Sequence, residues 1–139
     1  MARIQINFPE KNIFATEIKI RITDLNYGGH LGNDTMLSLL HEARVRFLKH
    51  FNYSEMDVEG VGIIMADAAI QFKTEAFYGE RLKIEIAADE FTRVAFDLFY
   101  RVSCSGRVVA IAKTGIVFYD YEKKKVVSIP DKFYQKLNV

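Results

Sequence analysis

Residues 22–51 read ITDLNYGGHLGNDTMLSLLHEARVRFLKHF, and the change of pattern within them decides the fold. In the first part, Asp24, Asn26, Gly28, Gly29, His30, Asn33 and Asp34 crowd a segment that follows the strand-like EIKIRI. Reversing a chain needs only one or two such residues, so this loop does more than turn. From Met36 the period becomes helical: Met36, Leu40, Ala43, Phe47 and Phe51 recur on one face. The spacing predicts a helix over Thr35–Phe51, with Asn33 or Asp34 as N-cap and Lys49 and His50 in the last turn. Leu37, Leu39, Val45 and Leu48 widen the apolar face beyond a narrow stripe, which predicts a central helix covered on several sides.

Working outward, Glu17–Ile22 alternate apolar and polar and read as a strand. Beyond the helix, Leu82, Ile84, Ile86 and Ala88 alternate with polar residues, as do Val94, Phe96, Leu98, Tyr100 and Val102. VVAIAKTGIVFYDY follows the SGR turn, so consecutive strands are antiparallel. A short helix, DKFYQKL, follows Pro130. One long helix after the first strand, then several long antiparallel strands, defines an α+β class in which a curved sheet wraps a helix. A single helix cannot cover so wide a sheet. Some apolar strand surface is therefore expected against a second subunit, in a homodimer or homotetramer.

The chain of 139 residues is the size of one domain, 1–139, and nothing in it repeats. Half the residues are hydrophobic and 27% are charged, which excludes a disordered class. The net charge of +1 is spread along the chain and gives no reason to expect nucleic acid or an anionic membrane as partner. No stretch approaches a membrane span, and MARIQINFPEK has no signal-peptide pattern, so a cytoplasmic location is expected. Cys104 is the single cysteine, and His41 and His50 have no Cys or acid at ligand spacing, so no metal site is implied. GVG at Gly60–Gly62 lacks the context of a nucleotide loop and reads as a turn.

DLNYGGHLGND followed by LLHEARVRFL resembles the loop and central helix of the hot-dog-fold acyl-CoA thioesterases of the 4-hydroxybenzoyl-CoA thioesterase type. Their pattern is approximately Asp-x-Asp-x-x-Gly-His-x-Asn-Asn, leading into a helix that contains Glu-Ala-Arg, here Glu42, Ala43 and Arg44. AIQFKTEAFYGERLKIEI is similar to the strand and turn that follow in the family. The resemblance implies a hot-dog fold and an acyl-CoA thioester hydrolase without a cofactor, coenzyme A entering as part of the substrate. It points to Asp24, Asn26, His30, Asn33 and Glu42 as the catalytic group and to Gly28, Gly29 and His30 as oxyanion and substrate contacts.

The chemistry suits that implication. A thiolate leaving group needs little acid assistance, so the site must orient a water and hold charge on the carbonyl oxygen. A glycine-rich loop entering a helix N-terminus presents backbone N–H groups and a positive dipole end. The sequence departs from the family at Asn26, where many relatives carry the acid that serves as base or nucleophile. An amide orients a water or a carbonyl but takes no proton. The strand position where some relatives place an acid is occupied by Gln71. Plainer roles compete: Asp24 as an Asx-turn residue, Asp34 as a cap, Glu42 as the partner of Arg46 four residues on. Two further readings stand beside hydrolysis. One is a non-catalytic acyl-CoA or acyl-carrier-protein binding domain. The other is an enoyl-CoA hydratase, whose Asp-x-Asn-Pro-x-His pattern Asp24, Asn26 and His30 echo with Tyr27 in place of proline.

Overall fold

A computed structural model describes all 139 residues. The elements are β1 (Phe14–Lys19), a 3-10 turn (Ile22–Asp24), α1 (Asn33–His50), β2 (Gly62–Phe72), β3 (Arg81–Asp89), β4 (Ala95–Cys104), β5 (Arg107–Asp120), β6 (Lys125–Val126) and α2 (Asp131–Leu137). The strands form one antiparallel sheet in the order β1-β3-β4-β5-β2, with β6 paired to the end of β5. Ser105 and Gly106 both adopt positive φ between β4 and β5, the geometry of a two-residue hairpin turn.

The alternation read from the strands is the alternation of burial. Leu82, Ile84 and Ile86 of β3, Phe96, Leu98, Tyr100 and Val102 of β4, and Ala112, Ile116 and Phe118 of β5 are all buried. Against them α1 sets Met36, Leu39, Leu40, Ala43, Phe47 and Leu48, and these residues belong to one continuous apolar cluster. α2 adds Phe133, whose ring lies within 5.2 Å of Phe118 and 5.4 Å of Phe96. No helix is long and apolar enough to cross a membrane.

Two elements differ from expectation in their bounds, β1 running Phe14–Lys19 instead of Glu17–Ile22 and α1 Asn33–His50 instead of Thr35–Phe51. β1 stops at Lys19, because Arg21 N–H donates to the Asp24 carboxylate at 2.8 Å and folds Ile22–Asp24 into the 3-10 turn. α1 starts at Asn33 behind Gly32, and no side chain caps it.

The helix lies closest to β1 and β3, which leaves the β2 side of its own sheet face partly open. Directly opposed residues share a face, so Ile63, Met65, Ala68, Ile70 and Phe72 of β2 join the helix side opposite Phe118, Ile116, Thr114, Ala112 and Ala110. Met65 and Phe72 remain 50% and 41% exposed, and Leu37 of α1 remains 45% exposed. An apolar groove thus runs between α1 and β2. The other face of the sheet carries an N-terminal strap: Ile6 N–H donates to Gln71 Oε1 at 3.2 Å, and the Arg101 guanidinium lies 4.5 Å over the Phe8 ring.

One charged network penetrates the core. Arg44 Nε donates to Glu55 Oε2 at 3.1 Å, and His41 Nε2 lies 2.7 Å from Glu55 Oε1. Burial alone would raise the Glu55 pKa, but the hydrogen bonds from His41 and Arg44 outweigh it and hold the carboxyl below its ordinary range. A depressed carboxyl contributes stability above its unfolded pKa and loses it as pH falls through the folded value. Glu55→Gln is therefore expected to lower the melting temperature at neutral pH, with the gap to the native protein closing in acid. A gap that widened on acidification would contradict the assignment.

Candidate active site

The polar loop is built around Asn26. Its Oδ1 accepts from Gly28 N–H at 2.9 Å and from His30 N–H at 3.4 Å, while its backbone O accepts from Gly29 N–H at 3.1 Å. Asn26 N–H donates to His30 O at 2.8 Å and closes the ring. Gly29 sits at φ +83°, a conformation that L side chains rarely adopt. A Cβ on Gly28 would come to 3.3 Å from Asn26 Oδ1 and 3.4 Å from His30 Nε2, so the glycine lets the loop close on the imidazole. The segment then docks on the β2–β3 connection, with Leu31 N–H donating to Ala76 O at 2.8 Å.

This docking opens a cleft of about 330 Å³, with Asn26, His30 and Asn33 on one wall and Phe72, Lys73 and Glu75 on the other. His30 is half-buried; its ring stands edge-on to Phe77, and Nε2 lies 3.7 Å from Glu75 Oε1. That separation is too long for a hydrogen bond and close enough for a carboxylate to stabilise an imidazolium as it forms. Met36 N–H donates to Gly32 O at 3.2 Å, while the N–H groups of Asn33, Asp34 and Thr35 have no acceptor in the chain. These orphan donors mark the positive end of the 18-residue helix.

The residues singled out from sequence divide between two places. Asn26, His30 and Asn33 meet in the cleft, whereas Gly28, Gly29 and His30 direct their N–H groups to Asn26 rather than into it. The unengaged donors are one turn farther on, at Asn33–Thr35. Asp24 is 3% exposed; its carboxylate holds Arg21 and its backbone O accepts from Gly32 N–H at 3.1 Å. It lines a separate depression together with Glu42. Glu42 Oε2 accepts from Arg46 Nε at 2.8 Å, and Arg46 Nη1 reaches Thr16 Oγ1 and the Glu17 carbonyl, each at 2.9 Å. The pair ties α1 to β1. Gln71 points to the outer face and accepts from the N-terminal strap.

Glu75 and the Arg44–Glu55 network were not singled out from the sequence. The signal for Glu75 was the polar KTE that follows the apolar end of β2, and only folding brings it 45 residues back to His30.

A long helix laid on an antiparallel sheet, with a Gly-His loop entering the helix N-terminus, defines the class. The model of the Thioesterase-like superfamily matches residues 20–137, and the chain belongs to that family. The fold is a hot-dog fold. It is similar to the 1,4-dihydroxy-2-naphthoyl-CoA thioesterase Slr0204 from Synechocystis, with a TM-score of 0.80, 21% identity, and coverage of 90% of this chain and 95% of that one. It is also similar to the gentisyl-coenzyme A thioesterase BH1999, with a TM-score of 0.77, 20% identity, and coverage of 87% and 99%. An Aquifex aeolicus (strain VF5) protein named provisionally as an esterase is 25% identical over 121 residues, 86% of this chain and 93% of its own.

Proposed function

We propose that this chain hydrolyses acyl-CoA thioesters, releasing a carboxylic acid and free coenzyme A. The observation that carries the reading is the convergence of His30, the Asn26 amide and Asn33, the first residue of α1, on one cleft, with Glu75 facing the imidazole. The thioester carbonyl oxygen points at the unengaged N–H of Asn33 at the start of α1, which is fixed in place before charge develops. His30 takes a proton from the attacking water as it adds to the carbonyl carbon, and the Glu75 carboxylate balances the imidazolium. The tetrahedral intermediate then collapses and expels the thiolate, which takes the proton from the His30 imidazolium and returns the imidazole to its neutral form. With no carboxylate at position 26, Asn26 serves as the organiser of the loop. Its Oδ1 is spent on Gly28 and His30, which leaves the amide N–H groups for water or substrate. Asp24 and Glu42 act at one remove, by seating the loop on the helix and the helix on β1. Lys73 at the rim offers a cation for the coenzyme A phosphates.

Thiol release from short, medium-chain, branched and aromatic acyl-CoAs tests the reading. Release from at least one class is expected. Binding without release would favour the acyl-binding domain, and addition of water to an enoyl-CoA without release would favour the hydratase.

In this reading a second copy pairs with the edge of the sheet. β2 is an edge strand of 11 residues with one row of backbone groups unpaired, and the groove beside it exposes Leu37, Met65 and Phe72. Such an edge invites pairing with another chain unless covered. Light scattering is expected to give a mass of at least a dimer, and Ala68→Glu on the edge strand to lower it. A native monomer at micromolar concentration would overturn this part.

A further inference from the structure

A second cavity, of about 240 Å³, opens farther along the groove between α1 and β2. Leu37, Leu40 and Met65 form its apolar walls, Ser38 and His41 of α1 also line it, and Arg44 and Thr114 reach it from the core. The hydrogen-bond chain behind these two polar groups has only one consistent direction. Arg44 Nη1 lies 3.2 Å from Tyr100 Oη, and because a guanidinium only donates, the tyrosine oxygen accepts. Tyr100 Oη lies 2.8 Å from Thr114 Oγ1 and has no other acceptor, so it spends its proton there. Burial raises the Tyr100 pKa and keeps that proton in place. The Thr114 hydroxyl hydrogen is then left over. So is Nη2 of Arg44, which donates to no group of the chain although the residue is only 6% exposed.

Two unspent donors, one of them on a cation, thus lie at the end of an apolar groove. Arg44 is eight residues along α1 from Met36, which lines the thioester cleft, a rise of about 12 Å. Thr114 is five residues along β5 from Val109, which also lines that cleft, or about 17 Å. The apolar side chains of Phe72, Ala68 and Met65 on β2 bridge the interval. Resting on the proposed hydrolysis of acyl-CoA, we infer that the cavity receives the distal end of a medium-length acyl chain and selects chains that carry an oxygen acceptor there, a hydroxyl or a carboxylate. A methyl terminus would cover both donors without pairing them, and a site built to bond an oxygen discriminates against the analogue that lacks it. Glu55 offsets the Arg44 charge, and His41 shares that carboxylate, so a neutral hydroxyl satisfies the site as well as an anion does.

The test compares dodecanoyl-CoA with its ω-hydroxy and ω-carboxy counterparts. The native protein is expected to give a kcat/KM about tenfold higher for at least one oxygenated substrate than for the plain one. The two arms distinguish hydroxyl from carboxylate. Thr114→Val is expected to bring that ratio close to one, and Thr114→Ser, which keeps the hydroxyl, to restore it. A second readout needs neither catalysis nor a variant: free ω-hydroxydodecanoate or dodecanedioate should raise the melting temperature of the native protein more than dodecanoate does. If no thioester is cleaved but the oxygenated acids still stabilise the protein preferentially, the hydrolase reading fails and the acceptor site stands. A native ratio at or below one, or equal stabilisation by all three acids, overturns the site.

Discussion

His30→Gln is expected to lower kcat/KM for thioester hydrolysis by roughly a hundredfold to ten-thousandfold, the range over which a positioned general base contributes. Glutamine keeps a polar side chain of similar reach, so the substitution removes the proton acceptor with little change in packing. The half-buried ring contacts Phe77 only through its edge, and its Nε2–Glu75 separation of 3.7 Å is no hydrogen bond, so the melting temperature should stay near that of the native protein. The loop survives because its closure runs through the His30 backbone and the Asn26 amide, not through the imidazole. Glu75→Gln acts through His30 and is expected to cost less, about tenfold, since it removes only the charge that steadies the imidazolium. Thiol release under saturating and limiting substrate separates these effects. Full activity in His30→Gln would remove the imidazole from the mechanism and turn attention to a water held by Asn26 and Asn33 alone.

Phe47→Ala is expected to destabilise the fold by about 3–5 kcal/mol, the usual cost of emptying a buried phenylalanine site. Phe47 is fully buried, and its ring meets Phe14 of β1 at 5.9 Å and Phe51 at 5.4 Å. It therefore joins the helix to the sheet edge from which the polar loop departs. Domains of this size are held by about 5–15 kcal/mol in all, so the variant should melt on the order of 10 °C lower. Activity measured well below that temperature should persist, because the cleft beside His30 lies at the other end of α1. Denaturant unfolding checks the prediction, and a loss under 1 kcal/mol would show that the aromatic cluster closes over the gap.

Much of this was legible in the chain. The period of Met36, Leu40, Ala43 and Phe47 declares a helix, and the alternation through Leu82–Ala88 and Val94–Val102 declares strands, because helical and extended backbones place side chains at fixed intervals. Asn26, His30 and Asn33 were legible as a group because they lie within eight residues, and a short loop cannot spread them far apart. Their hydrogen-bond partners were not. Whether the Gly28 N–H faces a substrate or the Asn26 amide depends on dihedral angles that composition leaves open, and the structure turns it to Asn26.

Contacts across the sequence were decided by tertiary structure alone. Glu75 reaches His30 only because the β2–β3 connection docks on the loop. Arg44, Tyr100 and Thr114 form a chain only because α1, β4 and β5 bring three distant side chains to one line. The sequence by itself determined the elements, the curved-sheet class and the polar loop, since these follow from local periodicity and local turn chemistry. The division of the acids between the cleft beside His30 and a separate depression, and the direction of the donors at the end of the groove, were set by packing. Such arrangements depend on which surfaces meet, and no local pattern encodes that.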